Sequence, residues 1–161
     1  MICDGRRCEE AGEFETTVAI RRTHRSNLDA LTGNLKSGFV TCVCVHVDTA
    51  GTAKVANAGH LPPLLNGTEL EMAGTLPMGI LAGTDYEVTT VHMDDGDTLT
   101  FMSDGIVEAR RSKDDQLFGF ERLRVLLSEQ PTTAQIARIA QDFGEEDDIS
   151  VLQISRLPMS A

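Results

Sequence analysis

The chain has 161 residues, 41% of them apolar and only five of them Pro, a size and composition that fit one folded domain and exclude a mainly disordered polymer. Its 25 acidic residues outweigh 14 basic ones for a formal charge of −11, which argues against nucleic acid as a partner and for cations instead. No apolar run approaches the roughly 18 residues of a membrane span, and no basic-then-apolar leader opens the sequence, so a cytoplasmic single domain over residues 1–161, with no membrane partner, is expected.

Residues 8–23, CEEAGEFETTVAIRRT, set acids early and Arg late, as a helix dipole favours, and predict a helix despite Gly12. Ser26 can cap a second short helix through NLDALTGNL, ending near Gly33 or Asn34. The clearest strand is FVTCVCVHVD at residues 39–48, which TAGT turns into AKVANAGH to make a hairpin. A second hairpin is predicted around Asn66-Gly67 in PPLLNGTELEM, and DYEVTTVHM with DTLTFM gives two more strands around the turn DDGD. Further on, GFERLRVLLSEQ carries Phe120, Leu123, Leu126 and Leu127 at helical spacing, and TTAQIARIAQDF does the same with Ile136, Ile139, Ala140 and Phe143. The run DISVLQISRL returns to strand, with Ile149, Val151 and Gln153 on one face. Helices, an antiparallel meander, two helices and a closing strand make an α+β pattern.

Of the four cysteines, Cys3, Cys8, Cys42 and Cys44, none forms a Cys-x-x-Cys pair, and no His stands at zinc-finger spacing. Cys42 and Cys44 fall on one face of the predicted strand and are read as buried free thiols.

Chemistry is carried by the acids. In TLTFMSDGIVEARR, residues 98–111, an apolar strand stops at Ser103-Asp104-Gly105 and a helix-like segment follows. Asp-Gly pairs form turns, and a carboxylate held at a strand end also suits a metal. The run FGEEDDISVLQI places Glu145, Glu146, Asp147 and Asp148 just before the closing strand, where they repel one another unless solvent or a cation intervenes. Asp4-Gly5 is a third acid-glycine pair, between MIC and a predicted helix. Carboxylates and a backbone carbonyl suit hard divalent ions, Mg²⁺ or Mn²⁺, and two such ions can orient a phosphoryl group for attack by water.

In their order, FVTCVCVHVD, VANAGHLPPLL, LPMGI, DGDTLTFMSDGIVEAR, FGFERL and EEDDISVLQI resemble the SpoIIE and RsbU type of bacterial phosphatase domain, within the metal-dependent, protein phosphatase 2C-like group. The resemblance covers residues 35–155. It implies a sandwich of two antiparallel β-sheets flanked by helices, and hydrolysis of phosphoserine or phosphothreonine on a protein. It implies Asp104 and Asp147 as metal ligands, with Asp148 as the neighbouring orienting residue. The shortened motif CDGRRCEEA makes Asp4 the bridging ligand and gives Gly5 a role through its carbonyl, so the catalytic centre would be Asp4, Asp104 and Asp147 around two Mn²⁺ or Mg²⁺ ions. The family's leading GGD strand motif has no counterpart here, so the domain is expected to be N-terminally shortened. A sheet edge left open in that way invites a second copy of the chain, a homodimer. The partner implied is a phosphorylated regulator such as a STAS-type anti-sigma factor antagonist.

His60 in NAGHLPP is read as fixing a turn through hydrogen bonds and not as a catalytic acid. Glu108 supports a turn, and Arg6 and Arg7 either meet phosphate or start a helix in solvent. The competing function is a phosphatase-like binding module that no longer turns over. A calcium-binding structural domain is disfavoured by the lack of an EF-hand loop.

Overall fold

The valine-rich run does form a strand, β1 (Cys42–Val47), in the computed structural model, which describes residues 39–81, 83–144 and 148–158. The helices expected over 8–23 and 26–34 lie outside the described residues, as do Asp4, Gly5 and Asp147. After β1 come β2 (Thr52–Ala58), β3 (Leu64–Leu65), β4 (Thr68–Glu69), β5 (Val88–His92) and β6 (Thr98–Met102). They are followed by α1 (Gly105–Glu108), β7 (Arg110–Arg111), β8 (Gln116–Leu117), α2 (Gly119–Ser128), α3 (Thr133–Phe143) and β9 (Val151–Ser155). Two compact units result: the described residues up to His60 with Met72–His92, and Leu61–Glu71 with the described residues from Met93 onward.

The first unit is built on an antiparallel sheet in the order β1-β2-β5. Its hairpin turns at Asp48, whose carboxylate accepts the Thr52 N–H at 2.8 Å. That bond holds the Asp48 carboxyl below the usual carboxylate range. β2 is the central strand, and Ala53, Val55, Ala56 and Ala58 are buried along it. Cys42 and Cys44 pack against a small core of Ala56, Ala58, Met78 and Tyr86. Both cysteines are free, as the sequence implied, but half-buried rather than buried.

The second unit carries a four-stranded sheet in the order β4-β3-β6-β9. Asn66 and Gly67 form the predicted two-residue turn between β3 and β4, with φ of 50° and 82°. Helices α2 and α3 contribute Leu123, Leu126, Leu127, Ile136 and Ala140 to a core that also holds Met102, Ile106 and Phe118. A capping box starts α3: Thr132 accepts the Gln135 N–H at 3.3 Å, and the Gln135 side chain accepts the Thr132 N–H at 2.8 Å.

Three expectations need correcting. Strands β5 and β6 form on either side of the predicted turn, but they do not pair as a meander. β5 joins β2, and β6 lies between β3 and β9. The turn's backbone is engaged elsewhere: Gly96 N–H donates to Arg156 O at 2.8 Å, and Arg156 N–H donates to Asp97 O at 2.9 Å. Phe120 is 44% exposed, because Phe118 fills the core at the start of α2, edge-on to Phe143 at 5.3 Å between ring centres. Ile139 is likewise 38% exposed, leaving Ile136 and Ala140 as the buried stripe of α3.

Candidate metal centre

Four of the five residues of β6, Leu99 to Met102, are buried, so the strand forms a rigid floor that ends at Ser103. Beyond it, Gly105, Ile106 and Val107 of α1 are also buried. Asp104 sits between these two anchored stretches and is itself exposed. Its main-chain oxygen accepts the Glu108 N–H at 2.9 Å, while its side chain makes no capping bond to the helix. The carboxylate is thus not used as a helix cap, although Asp is among the residues that cap best. A fixed backbone with an outward carboxylate is the arrangement a metal ligand needs.

Neighbouring β9 brings the second acidic motif alongside. Met102 stands opposite Val151, and the next residue along, Ser103, bonds to Ser150. Ser103 locks this junction three times over. Its N–H donates to Ser150 O at 2.9 Å, its Oγ accepts the Ser150 N–H at 3.0 Å, and its hydroxyl reaches Asp148 O at 3.4 Å. The motifs SDG and DIS, 45 residues apart between Ser103 and Asp148, are therefore stitched together by one serine side chain. Ser103→Ala should lower unfolding stability by about 0.5–1.5 kcal/mol, the net worth of an ordinary hydrogen bond, whereas Ser103→Thr should retain most of it. Urea denaturation of the three proteins gives the comparison.

Gly144 ends α3 with φ of 131° and leads the chain toward that motif. A Cβ placed there would stand 2.2 Å from the carbonyl oxygen of Arg110, so only glycine lets α3 close against β7.

Of the sequence-derived ligands, the described residues include Asp104 alone, with Asp148 as the nearest member of the second motif. Among the described residues no group of three or more His, Cys, Asp or Glu side chains stands together as a metal site. Glu108 is exposed at the end of α1, its N–H closing that single turn, as expected.

The NAGH motif is fixed by a residue that the sequence reading passed over. Asn57, 6% exposed, donates from its amide to His60 O at 2.7 Å and accepts the His60 N–H at 2.8 Å. Thr75 donates to the Asn57 carbonyl. Hydrogen bonds hold the turn as expected, but these run through the Asn57 amide to the main chain of His60. An Asn three residues before a turn's end was the available signal, since Asx side chains commonly cap their own backbone.

The family model described as Stage II sporulation protein E (SpoIIE) matches residues 12–157. Among solved structures, the chain is similar to the RsbU and RsbW domains of Rv1364c from Mycobacterium tuberculosis, at a TM-score of 0.68 and 22% identity over 91% of this chain and 44% of that one. It therefore spans less than half of that protein's chain. It is also similar to the phosphatase domain of the cell fate determinant SpoIIE from Bacillus subtilis, presoaked with Mn, at a TM-score of 0.58 and 20% identity over 98% and 78% of the two chains. A third similar structure is the catalytic domain of the serine threonine protein phosphatase PstP in complex with two manganese ions, at a TM-score of 0.67 and 13% identity over 91% and 73%. These neighbours have the PP2C-like α+β fold, and this chain shares it. No curated protein sequence matches the chain.

Proposed function

Because this chain belongs to the SpoIIE family of PP2C-type phosphatase domains, we propose that it is a metal-dependent protein serine/threonine phosphatase in which Asp4, the Gly5 carbonyl, Asp104 and Asp147 hold two Mn²⁺ or Mg²⁺ ions. The observation that carries the proposal is Asp104. It is exposed, uncapped and seated between buried segments, and Ser103 binds its backbone to the strand entrance that follows Asp147 in sequence. An all-oxygen donor set of this kind fits hard divalent ions.

When bound, such ions supply the positive charge that activates water and balances phosphoryl oxygens during in-line displacement. This chain's residues provide the positions. Asp104 offers a carboxylate on a backbone held by β6 and α1, so the main chain need not move on ligation. Ser103 keeps β6 and the entrance to β9 in register. Asn57 holds the NAGH turn closed. No side-chain nucleophile is required, and His60 has no part in metal binding.

For the substrate we favour a phosphoserine or phosphothreonine protein, on the family resemblance, with a STAS-type anti-sigma factor antagonist as the first candidate. Two copies of the chain could associate through an uncovered sheet edge; among the described residues β1 and β5 are the edges of the first sheet.

The test is thermal and enzymatic together. Adding Mn²⁺ at ten times its Kd should stabilise the fold by about 1.4 kcal/mol, as expected for a ligand bound only to the native state. The same ion should switch on hydrolysis of a generic phosphate ester, and EDTA should switch it off. Turnover that survives EDTA excludes the mechanism. Mn²⁺ stabilisation without turnover, toward either the ester or a phosphorylated STAS protein, selects the binding-module reading.

A further inference from the structure

The first unit holds a second cluster of metal-ligating groups, chemically opposite to the acidic one. Cys42 and Cys44 lie two apart on β1, so both thiols stand on one face, and their Sγ atoms are 3.9 Å apart. Opposite them on β2 are the small side chains of Ala58 and Ala56. Met78 approaches from the same side. Its backbone exchanges two hydrogen bonds of 2.9 Å with Val40, and residues opposed in such a bridge share a face. Val40 precedes Cys42 by two residues, so Met78 is a diagonal cross-strand neighbour of Cys42, within reach for a long side chain. Met78 is 3% exposed and belongs to the core against which both cysteines pack.

We propose that Cys42 and Cys44, with the Met78 thioether as third donor, form a binding site for one soft d¹⁰ cation of the Cu(I) class. Thiolate and thioether donors select such ions over hard ones. An ion about 2.3 Å from each sulfur, a usual metal–thiolate length, would subtend a sulfur–metal–sulfur angle of about 115° across this gap, close to trigonal. A structural zinc ion wants four ligands. Among the described residues no third His, Cys, Asp or Glu joins the pair. His46, next along that face, stands opposite Lys54, whose charge opposes a cation there.

A disulfide is the rival outcome, and the strand resists it. Same-face neighbours on a strand have parallel Cα–Cβ bonds, so their Cβ atoms stay about 6.6 Å apart, whereas a disulfide brings its two Cβ atoms to about 3.8 Å. All six residues of β1 are in register with β2, so closing that gap means breaking the ladder.

Anaerobic titration of the full chain with Cu(I), against the competing chelator bicinchoninate, tests the site in a Cys3→Ser, Cys8→Ser background. One ion per chain is expected, with sulfur-only coordination by X-ray absorption. Cys42→Ala and Cys44→Ala should each weaken it by more than about 100-fold, beyond the 10–100-fold typical of groups that only support a ligand. Met78→Leu, which keeps volume, should weaken it about tenfold. Melting curves establish that each variant is folded, and Cys→Ser versions at both positions replace any alanine variant that is not. Absence of binding, or equal binding by folded Cys42 and Cys44 variants, overturns the site. Equal binding by Met78→Leu overturns the third donor.

Discussion

Replacing Asp104 with Asn should reduce Mn²⁺-dependent phosphate-ester hydrolysis by about 10²–10³-fold, the scale on which one pre-positioned electrostatic group contributes to a transition state. The fold should survive. Asn has the size of Asp, and the Asp104 side chain makes no capping bond whose loss could unravel α1. The urea midpoint of the metal-free protein should therefore stay within about 0.5 kcal/mol of wild type, as for an exposed substitution that breaks no cap or network. The Mn²⁺-induced rise in melting temperature should shrink at the same time. If Asp104 served only as the first residue of a turn, Asn would do equally well there. Unchanged hydrolysis and unchanged Mn²⁺ stabilisation in the variant would establish that plainer role.

The second large effect is expected far from any ligand, at Gly144. Gly144→Ala forces a side chain into φ of 131° and drives its Cβ to 2.2 Å from the Arg110 carbonyl oxygen. Left-handed strain costs about 1–3 kcal/mol and overpacking a similar amount, so a loss of about 4 kcal/mol is expected. Urea or thermal unfolding measures it directly. Because Gly144 turns α3 toward the segment that precedes Asp148, Mn²⁺ affinity should fall as well, even where the variant is still folded. Gly83 supplies the control: it too has a positive φ, 78°, but nothing lies within 4 Å of the place a Cβ would take, so Gly83→Ala should cost only the backbone strain.

Much of this architecture was legible because its signals are local. Alternation in FVTCVCVHVD marks β1, the Asn66-Gly67 dipeptide marks a tight hairpin, and the three-and-four spacing of Leu123, Leu126 and Leu127 marks the buried face of α2. What was missed depends on partners distant in the chain. The turn at Asp94–Asp97 has hairpin composition, yet Arg156 engages its main chain, and no local pattern announces a residue nearly sixty positions away. Phe120 and Ile139 keep helical spacing but lose the core to Phe118 and to Ile136 with Ala140, a contest decided by packing rather than period. At the candidate centre, the acids were visible as acids. Ser103, which joins their two motifs, looked like a spacer because a hydroxyl's partner cannot be read without the register of β6 against β9.

That register has a consequence for synthesis. β6 has its place between β3 and β9, but β9 leaves the ribosome after all the other described strands, about fifty residues after the SDG motif. Until Val151–Ser155 emerges, one edge of β6 lacks its partner strand, and Ser103 has no Ser150 to grip. A nascent chain stalled before residue 151 thus presents Asp104 without its companion motif in register, whatever the ionic content of the surroundings. Emergence of β9 would pair the open edge of β6 and set the junction beside Asp104 in one step, so a chain truncated before residue 151 would lack the Ser103 clasp between the SDG and DIS motifs.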